Sequence, residues 1–189
     1  LYHNTASSGY GGAIYSLDST VDLRNTFVEY NTAVLGGALY AYNSLVYLYN
    51  NLVAGNNATS TTGDGVRLYI DSVLNANNNT FAYNNANYAN TGRALDIYNA
   101  DMTLGCSIIW GHTSSINETG HPVTYSDIEG GYEGDGNLMV TPGLSRWPVA
   151  IFTCKSPARS STVASPGAAL TLTTKCVPLC GRRRPPPTT

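Results

Sequence analysis

Charge is scarce in this chain. Of 189 residues only 12% are Asp, Glu, Lys or Arg, the formal net charge is −2, and no lysine precedes Lys155. Such a surface offers no electrostatic grip on nucleic acid or on an anionic membrane. No apolar run approaches transmembrane length. No leader peptide is visible, and a chain that opens in mid-repeat at Leu1 reads as a fragment, which leaves that question open. Sustained i, i+3, i+4, i+7 apolar spacing is missing, and charged helix formers are few, which argues against long amphipathic helices. The four cysteines, Cys106, Cys154, Cys176 and Cys180, follow neither a metal-site nor a disulfide-framework spacing, and Cys106 reads as a small hydrophobe. Gly-rich phosphate loops, Ser-His-Asp order and zinc motifs are also missing.

What the chain has is a repeated phrase. Gly11-Gly12-Ala13-Ile14-Tyr15 returns as Gly36-Gly37-Ala38-Leu39-Tyr40, then loosely at Gly63–Tyr69 and Gly92–Tyr98. The glycines that open the phrase lie 25, 27 and 29 residues apart. Self-similarity at that period is the signature of a solenoid. A second phrase keeps step: Asn25-Thr26-Phe27, Asn50-Asn51-Leu52, Asn79-Thr80-Phe81 and Cys106-Ser107-Ile108, followed by polar turns at Asn31-Thr32-Ala33, Asn56-Asn57-Ala58 and Asn85-Ala86. Between turns the apolar residues alternate, as in Val46 and Leu48 or Val66, Leu68 and Ile70, which is the period of a strand with one buried face.

An all-β repeat of this length describes one rung of a parallel β-helix, each rung about 4.8 Å above the last, with equivalent residues in columns. Three inward columns are expected: Ile14/Leu39/Val66/Leu95, Val21/Val46/Val73/Met102 and Phe27/Leu52/Phe81/Ile108. Asn25, Asn50 and Asn79 read as a structural asparagine ladder at a bend, and the glycines as sharp corners.

Gly-Gly-Ala-Ile/Leu-Tyr followed by an Asn-Thr-Phe strand resembles the repeats of polymorphic outer-membrane-protein-like, right-handed parallel β-helix proteins. The stretch Ile108–Gly111, then Val123–Tyr132 and Gly136-Asn137, resembles the closing rungs of large secreted bacterial proteins of the pectin-lyase-like class. The resemblance covers residues 1–144. It implies an all-β, right-handed parallel β-helix of about four to five rungs, exported to the bacterial cell surface or beyond. For activity it implies little, because this architecture carries lyases, hydrolases, adhesins and autotransporter-like passengers alike.

Residues 145–189 form an irregular C-terminal tail rich in Pro, Ser and Arg, ending Arg182-Arg183-Arg184-Pro185-Pro186-Pro187. Two readings stand. One is an extended basic segment. The other is a frameshift: read one frame over, residues 150–164 can encode the Asp-Phe-His-Leu-like strand and Ala-Ile-x-Asp-x-Gly-like turn with which similar proteins continue.

If Ile14, Leu39, Val66 and Leu95 point inward, Tyr15, Tyr40, Arg67 and Asp96 point outward, and Tyr42, Tyr69 and Tyr98 form a neighbouring outward column. Stacked aromatics stabilise a sheet without any ligand. The same tyrosines would also make an aromatic strip for sugar rings, with Asn and Asp side chains supplying hydrogen bonds. Asp18, Asn43, Asp71 and Asn99 share one turn; they are ordinary turn residues, and a Ca²⁺ site would need six to eight converging oxygens. Asp22 with Arg24, and Arg67 with Asp96, read as salt bridges; they are the candidates for an acid-bearing catalytic groove. His112 takes the turn position of Asn31 and Asn56. The expected role is a monomeric, non-catalytic adhesive scaffold for polysaccharide or surface glycans, needing no cofactor. The alternatives are a carbohydrate-active enzyme, with catalytic rungs partly outside this segment, and an autotransporter-like passenger.

Overall fold

A computed structural model of the chain describes residues 1–60, 64–84 and 92–138. The described residues contain strands and no helix. Gly63, the turn at Asn85-Ala86 and the tail fall outside them.

The chain climbs in successive turns. The first is β1 (Thr5–Tyr10), β2 (Ile14–Leu17), β3 (Thr20–Arg24) and β4 (Phe27–Glu29); the second is β5 (Thr32–Leu35), β6 (Leu39–Tyr42), β7 (Leu45–Tyr49) and β8 (Leu52–Ala54). The third is β9 (Asn57–Ala58), β10 (Asp64–Tyr69), β11 (Val73–Asn77) and β12 (Thr80–Ala82). The fourth is β13 (Arg93–Tyr98), β14 (Asp101–Gly105) and β15 (Ile108–Trp110), and a shorter closing turn holds β16 (Ser114–Ile116), β17 (Val123–Thr124) and β18 (Asp127–Ile128). Every pairing is parallel and joins one turn to the next. The strands make three five-stranded sheets, β2-β6-β10-β13-β16, β3-β7-β11-β14-β17 and β4-β8-β12-β15-β18, and a three-stranded sheet β1-β5-β9. This is a parallel β-solenoid, with like laid over like.

Alternation places one face of each sheet inside. The column Ile14/Leu39/Val66/Leu95 stacks as its spacing predicts and continues to Ile116. The other two expected columns need correction. Val46 pairs with Leu74, not Val73, because the corner after β10 has one extra residue: Ile70 and Asp71 stand where the second turn has Asn43 alone. The third inward column is Val28/Val53/Phe81/Ile109/Ile128, whereas Phe27 pairs with Leu52, Thr80 and Ile108 on the outer face and is 51% exposed. A one-residue slip exchanges the faces of a strand. Leu48, Leu68, Leu74, Leu95, Ile97, Met102, Leu104 and Ile109 are fully buried, each stabilising the coil by about 1.5–3 kcal/mol relative to exposure.

Corners decide the rest. Strands end on a residue with positive φ: Asp18 (48°), Asn43 (44°) and Asn99 (46°) at one corner, and Asn25 (50°), Asn50 (57°), Asn78 (56°), Cys106 (46°) and Tyr125 (51°) at the next. Asn and Asp tolerate this left-handed conformation best among non-glycine residues. Gly11 (64°) and Gly36 (62°) turn another corner, and a Cβ on the adjoining Gly37 would lie 2.6 Å from the Asn57 backbone. Cys106 carries a disulfide bond, so it is not the free small hydrophobe that its spacing suggests.

The residue after the left-handed one points inward and forms the ladder. The expected ladder Asn25/Asn50/Asn79 is corrected by one place. Asn25 and Asn50 are exposed left-handed corner residues, while Asn79 stacks with Asn51. Backbone N–H groups donate upward in a single direction, Thr26 to Asn51 Oδ1 (3.0 Å), Asn51 to Asn79 Oδ1 (3.0 Å), Asn79 to Ser107 Oγ (3.1 Å), Ser107 to Ser126 Oγ (3.1 Å) and Ser126 to Asn137 Oδ1 (3.0 Å). A second ladder runs Asn4, Asn31, Asn56, Asn84 and His112. A short serine ladder runs Ser19, Ser44 and Ser72. The carboxamide nitrogens donate back down, Asn56 to Val28 O (2.8 Å) and Asn79 to Leu48 O (2.8 Å).

Asn56→Leu removes an acceptor and a donor while keeping the branched shape, leaving Asn31 N–H buried without its acceptor and taking from Val28 C=O the side-chain bond it receives beside its strand partner. Urea unfolding is expected to show a loss of about 1–3 kcal/mol. Asn50→Gly, one corner away, is expected to change stability by less than about 1 kcal/mol, because glycine adopts the same left-handed backbone freely.

Candidate functional site

The first five-stranded sheet turns its tyrosines outward in the two expected columns. Tyr15, Tyr40, Arg67 and Asp96 stack in register, and beside them Leu17, Tyr42, Tyr69 and Tyr98. Tyr10, at the end of β1, joins them; the repeat phrase did not reveal it, although it stands directly before Gly11. Its ring stacks on Tyr40 at 4.7 Å and 18°.

Ring geometry sets what this face can offer. Tyr69 and Tyr98 lie 5.0 Å apart at 16°, and Tyr42, Tyr15 and Tyr40 join at 5.7–6.1 Å with tilts of 32–41°. Coplanar rings cannot approach to 5 Å, so the parallel pairs face each other across successive turns. The strip is therefore not a flat pavement of ring faces as the sequence suggests. Between its ends it presents ring edges and hydroxyls. Open ring surface is largest at Tyr15 (52% exposed), Tyr98 (47%) and Tyr10 (46%), while Tyr40 is 5% exposed. Burial pushes the Tyr40 hydroxyl up to about 12, against the pull of the Arg67 charge. The phenol stays neutral at any ordinary pH.

Above Tyr40 the same column changes to charge. Asp96, 3% exposed, accepts from Arg67 Nη1 at 2.7 Å through Oδ2 and from Arg93 Nη1 at 2.6 Å through Oδ1. The Arg67–Asp96 contact follows from their shared column; Arg93, at the first position of β13, reaches the second Asp96 oxygen although its odd offset of three residues would put it on the other face of a regular strand. The Arg67 guanidinium also lies 5.6 Å from the Tyr69 ring centre. With a guanidinium on each oxygen, Asp96 is not placed to serve as a free base. Asp22 and Arg24 form an exposed bidentate pair at 2.7 and 3.0 Å on a different sheet, and the Arg24 hydrogen bond holds the Asp22 carboxyl below its ordinary range. Arg24 also lies 4.8 Å from the Tyr49 ring centre.

Beside the Tyr42/Tyr69/Tyr98 column runs the corner of Asp18, Asn43, Asp71 and Asn99. Open grooves here are lined by Asp18, Thr20, Asn43, Asp71, Asn99 and Asp101. Asn43 Nδ2 donates to Asp18 Oδ1 at 2.7 Å. These residues occur one per turn, which spreads their oxygens along the axis instead of gathering them about a point. Among the described residues no three His, Cys, Asp or Glu are placed to hold a metal ion.

The histidines are scattered, as their sequence positions suggest. His3 stacks on Tyr30 at 5.5 Å, and His121 Nε2 lies 3.6 Å from Glu118 Oε2. His112 is a ladder member: its Nε2 accepts from Asn84 N–H at 3.1 Å.

No protein-family model, curated protein or solved structure matches this chain. The geometry defines the class, a parallel β-solenoid with a tyrosine-rich outer face. Among the described residues no helix is long and apolar enough to cross a membrane.

Asp96→Asn is expected to destabilise the chain by about 1.5–3 kcal/mol, because the charge that Arg67 and Arg93 both bond is removed in a largely buried setting. Arg24→Ala, at the exposed pair, is expected to leave the denaturation midpoint unchanged. Equal effects in thermal and urea unfolding would overturn this contrast.

Proposed function

We propose that this solenoid is a non-catalytic, adhesive glycan-binding scaffold of a secreted or cell-surface bacterial protein of pectin-lyase-like type, and that its tyrosine face is the contact surface. The observation that carries this reading is the run Tyr15, Tyr40, Tyr42, Tyr69 and Tyr98 on one sheet, joined by Tyr10 from the neighbouring sheet and edged by Asp18, Asn43, Asp71 and Asn99. Aromatic surface meets the C–H faces of sugars, and amides and carboxylates bind their hydroxyls. Phenol groups recur at about 4.8 Å, the rise of one turn. A linear glycan lying along the axis repeats on a similar scale, so each turn can meet an equivalent group. The tyrosines are held by their neighbours before any ligand arrives, which lowers the entropy cost of binding.

A carbohydrate-active enzyme is the second reading, favoured by Asp96, Arg67 and Arg93 adjoining the tyrosines. On that reading an acid must be released from its guanidiniums during turnover.

The full chain on a glycan array, beside a reducing-sugar release assay, separates the two. Binding without sugar release is expected. Tyr15→Ala with Tyr98→Ala removes the open ring surface with least disturbance to the stack, and a loss of affinity on the order of tenfold or more is expected from two aromatic contacts of about 0.5–1.5 kcal/mol each. Unchanged affinity in that double variant would refute the tyrosine contact surface, and sugar release abolished by Asp96→Asn would favour the enzyme.

A further inference from the structure

We propose that His112 is an acid-operated latch that holds the closing turn, β16 to β18, onto the turns beneath it.

The argument starts from the ladder. Asn4, Asn31, Asn56 and Asn84 each donate a backbone N–H to the side chain one turn further on, at 2.9, 3.0, 3.1 and 3.1 Å. The first three acceptors are carboxamide oxygens, which accept whatever the pH. The fourth is an imidazole nitrogen, His112 Nε2. An N–H can only donate, so Nε2 must carry a bare lone pair, and the ring hydrogen sits on Nδ1. That Nδ1 is buried and has no hydrogen-bond partner among the described residues.

His112 also binds the closing turn. Its backbone N–H donates to Glu129 Oε2 at 3.0 Å, Gly111 N–H donates to the same oxygen at 2.6 Å, and Ser115 Oγ donates to Glu129 O at 2.7 Å. One residue thus joins Asn84 below to Glu129 above. Adding a proton at Nε2 sets one N–H against another at the 3.1 Å Asn84 contact, so the hydrogen bond becomes a repulsion. The new charge also sits on a residue only 8% exposed.

Burial lowers the His112 ring from 6.5 to about 3. The sign follows. In the opened form the ring returns to its ordinary value, so below pH 6.5 the opened form binds a proton that the closed form does not. Opening is therefore favoured as pH falls, through a window from 6.5 down to about 3, and is insensitive to pH above it. Within the window the opening constant changes by about tenfold per pH unit. Among the described residues the charged group facing His112 is Glu129, from the segment after β18; Asn84 after β12 and Ser115 of β16 are neutral. Glu129 bonds the backbone and does not reach the ring. Its charge would attract a protonated ring, which narrows the window without reversing its direction.

Native-state hydrogen exchange on the full chain, from about pH 7 to about pH 4 and corrected for intrinsic rates, tests the latch. Opening of β16–β18 is expected to rise by about tenfold per unit below pH 6, while β6 and β7 hold steady. His112→Asn completes the amide ladder and is expected to flatten that dependence. Glu129→Gln is expected to raise opening at every pH and keep the slope. An unchanged slope in His112→Asn would overturn the latch. So would a His112 ring that titrates near 6.5 by NMR in the folded, unaltered chain, a measurement that decides the matter even if the variant fails to fold.

Discussion

A parallel solenoid must turn its backbone several times per coil, and at each corner a peptide N–H points inward, away from any strand. Leaving such a group unpaired in the interior costs about 1–3 kcal/mol, and the cost recurs on every turn. Here the corner after β3 and its successors, and the corner after β4 and its successors, answer with an inward Asn, Ser or His that accepts the N–H from the turn below. The bond is possible only if successive turns lie in register, so the ladder rewards the stacking that the apolar columns also require. Apolar burial gives the coil its cohesion; the ladders give it one pitch and one phase. A shift by a single residue would break both together.

The ladders have a direction, and a directed chain of donors needs an end. At one corner the last N–H meets the Glu129 carboxylate, and at another it meets Asn137 Oδ1. Asn137 also donates to Val123 O and Tyr132 O, tying the final loop back over the coil. These terminal acceptors are supplied by a turn shorter than those beneath it, in which 19 residues separate Ile109 from Ile128 where 28 separate Phe81 from Ile109. In that turn Val123 stacks on Leu104 and Ile128 on Ile109, and all four are buried.

Much of this was legible in the residues, and where it failed the reason is local. The glycine phrase recurs beside the first sheet, so the Ile14 column and both tyrosine columns could be read by counting from it. The count then drifts. Ile70 (φ 30°) and Asp71 (φ 56°) share a corner that one residue turns elsewhere, which moves Leu74 into the place that Val73 would have taken. Tandem asparagines conceal a similar slip. In Asn50-Asn51 and Asn78-Asn79 the first residue bends the backbone and the second fills the ladder, two roles that one residue type performs equally well. Phe27 has the aromatic side chain of a core residue, yet strand parity puts it outside. Tyr10 carries no such signal, because it comes from a different sheet and reaches the site only through folding. The facing orientation of the rings is likewise invisible in sequence, since alternation gives the side of a sheet and not the tilt of a ring.

The division of labour between inside and outside explains why so regular a coil can carry an irregular surface. Inward positions are constrained twice, by packing and by the ladder, and they vary little in chemistry from turn to turn. Outward positions must only tolerate a neighbour one turn away. In one such column the residues run from tyrosine to arginine to aspartate without disturbing the register beneath. The spacing imposed by the core then becomes a property of the surface. Tyrosines placed one turn apart are close enough to stack, and stacking fixes their hydroxyls in a row before any ligand is met. The order of the tyrosine face is thus inherited from the buried asparagines and serines at the corners, and a lesion in a ladder would disorder that face without touching a single tyrosine.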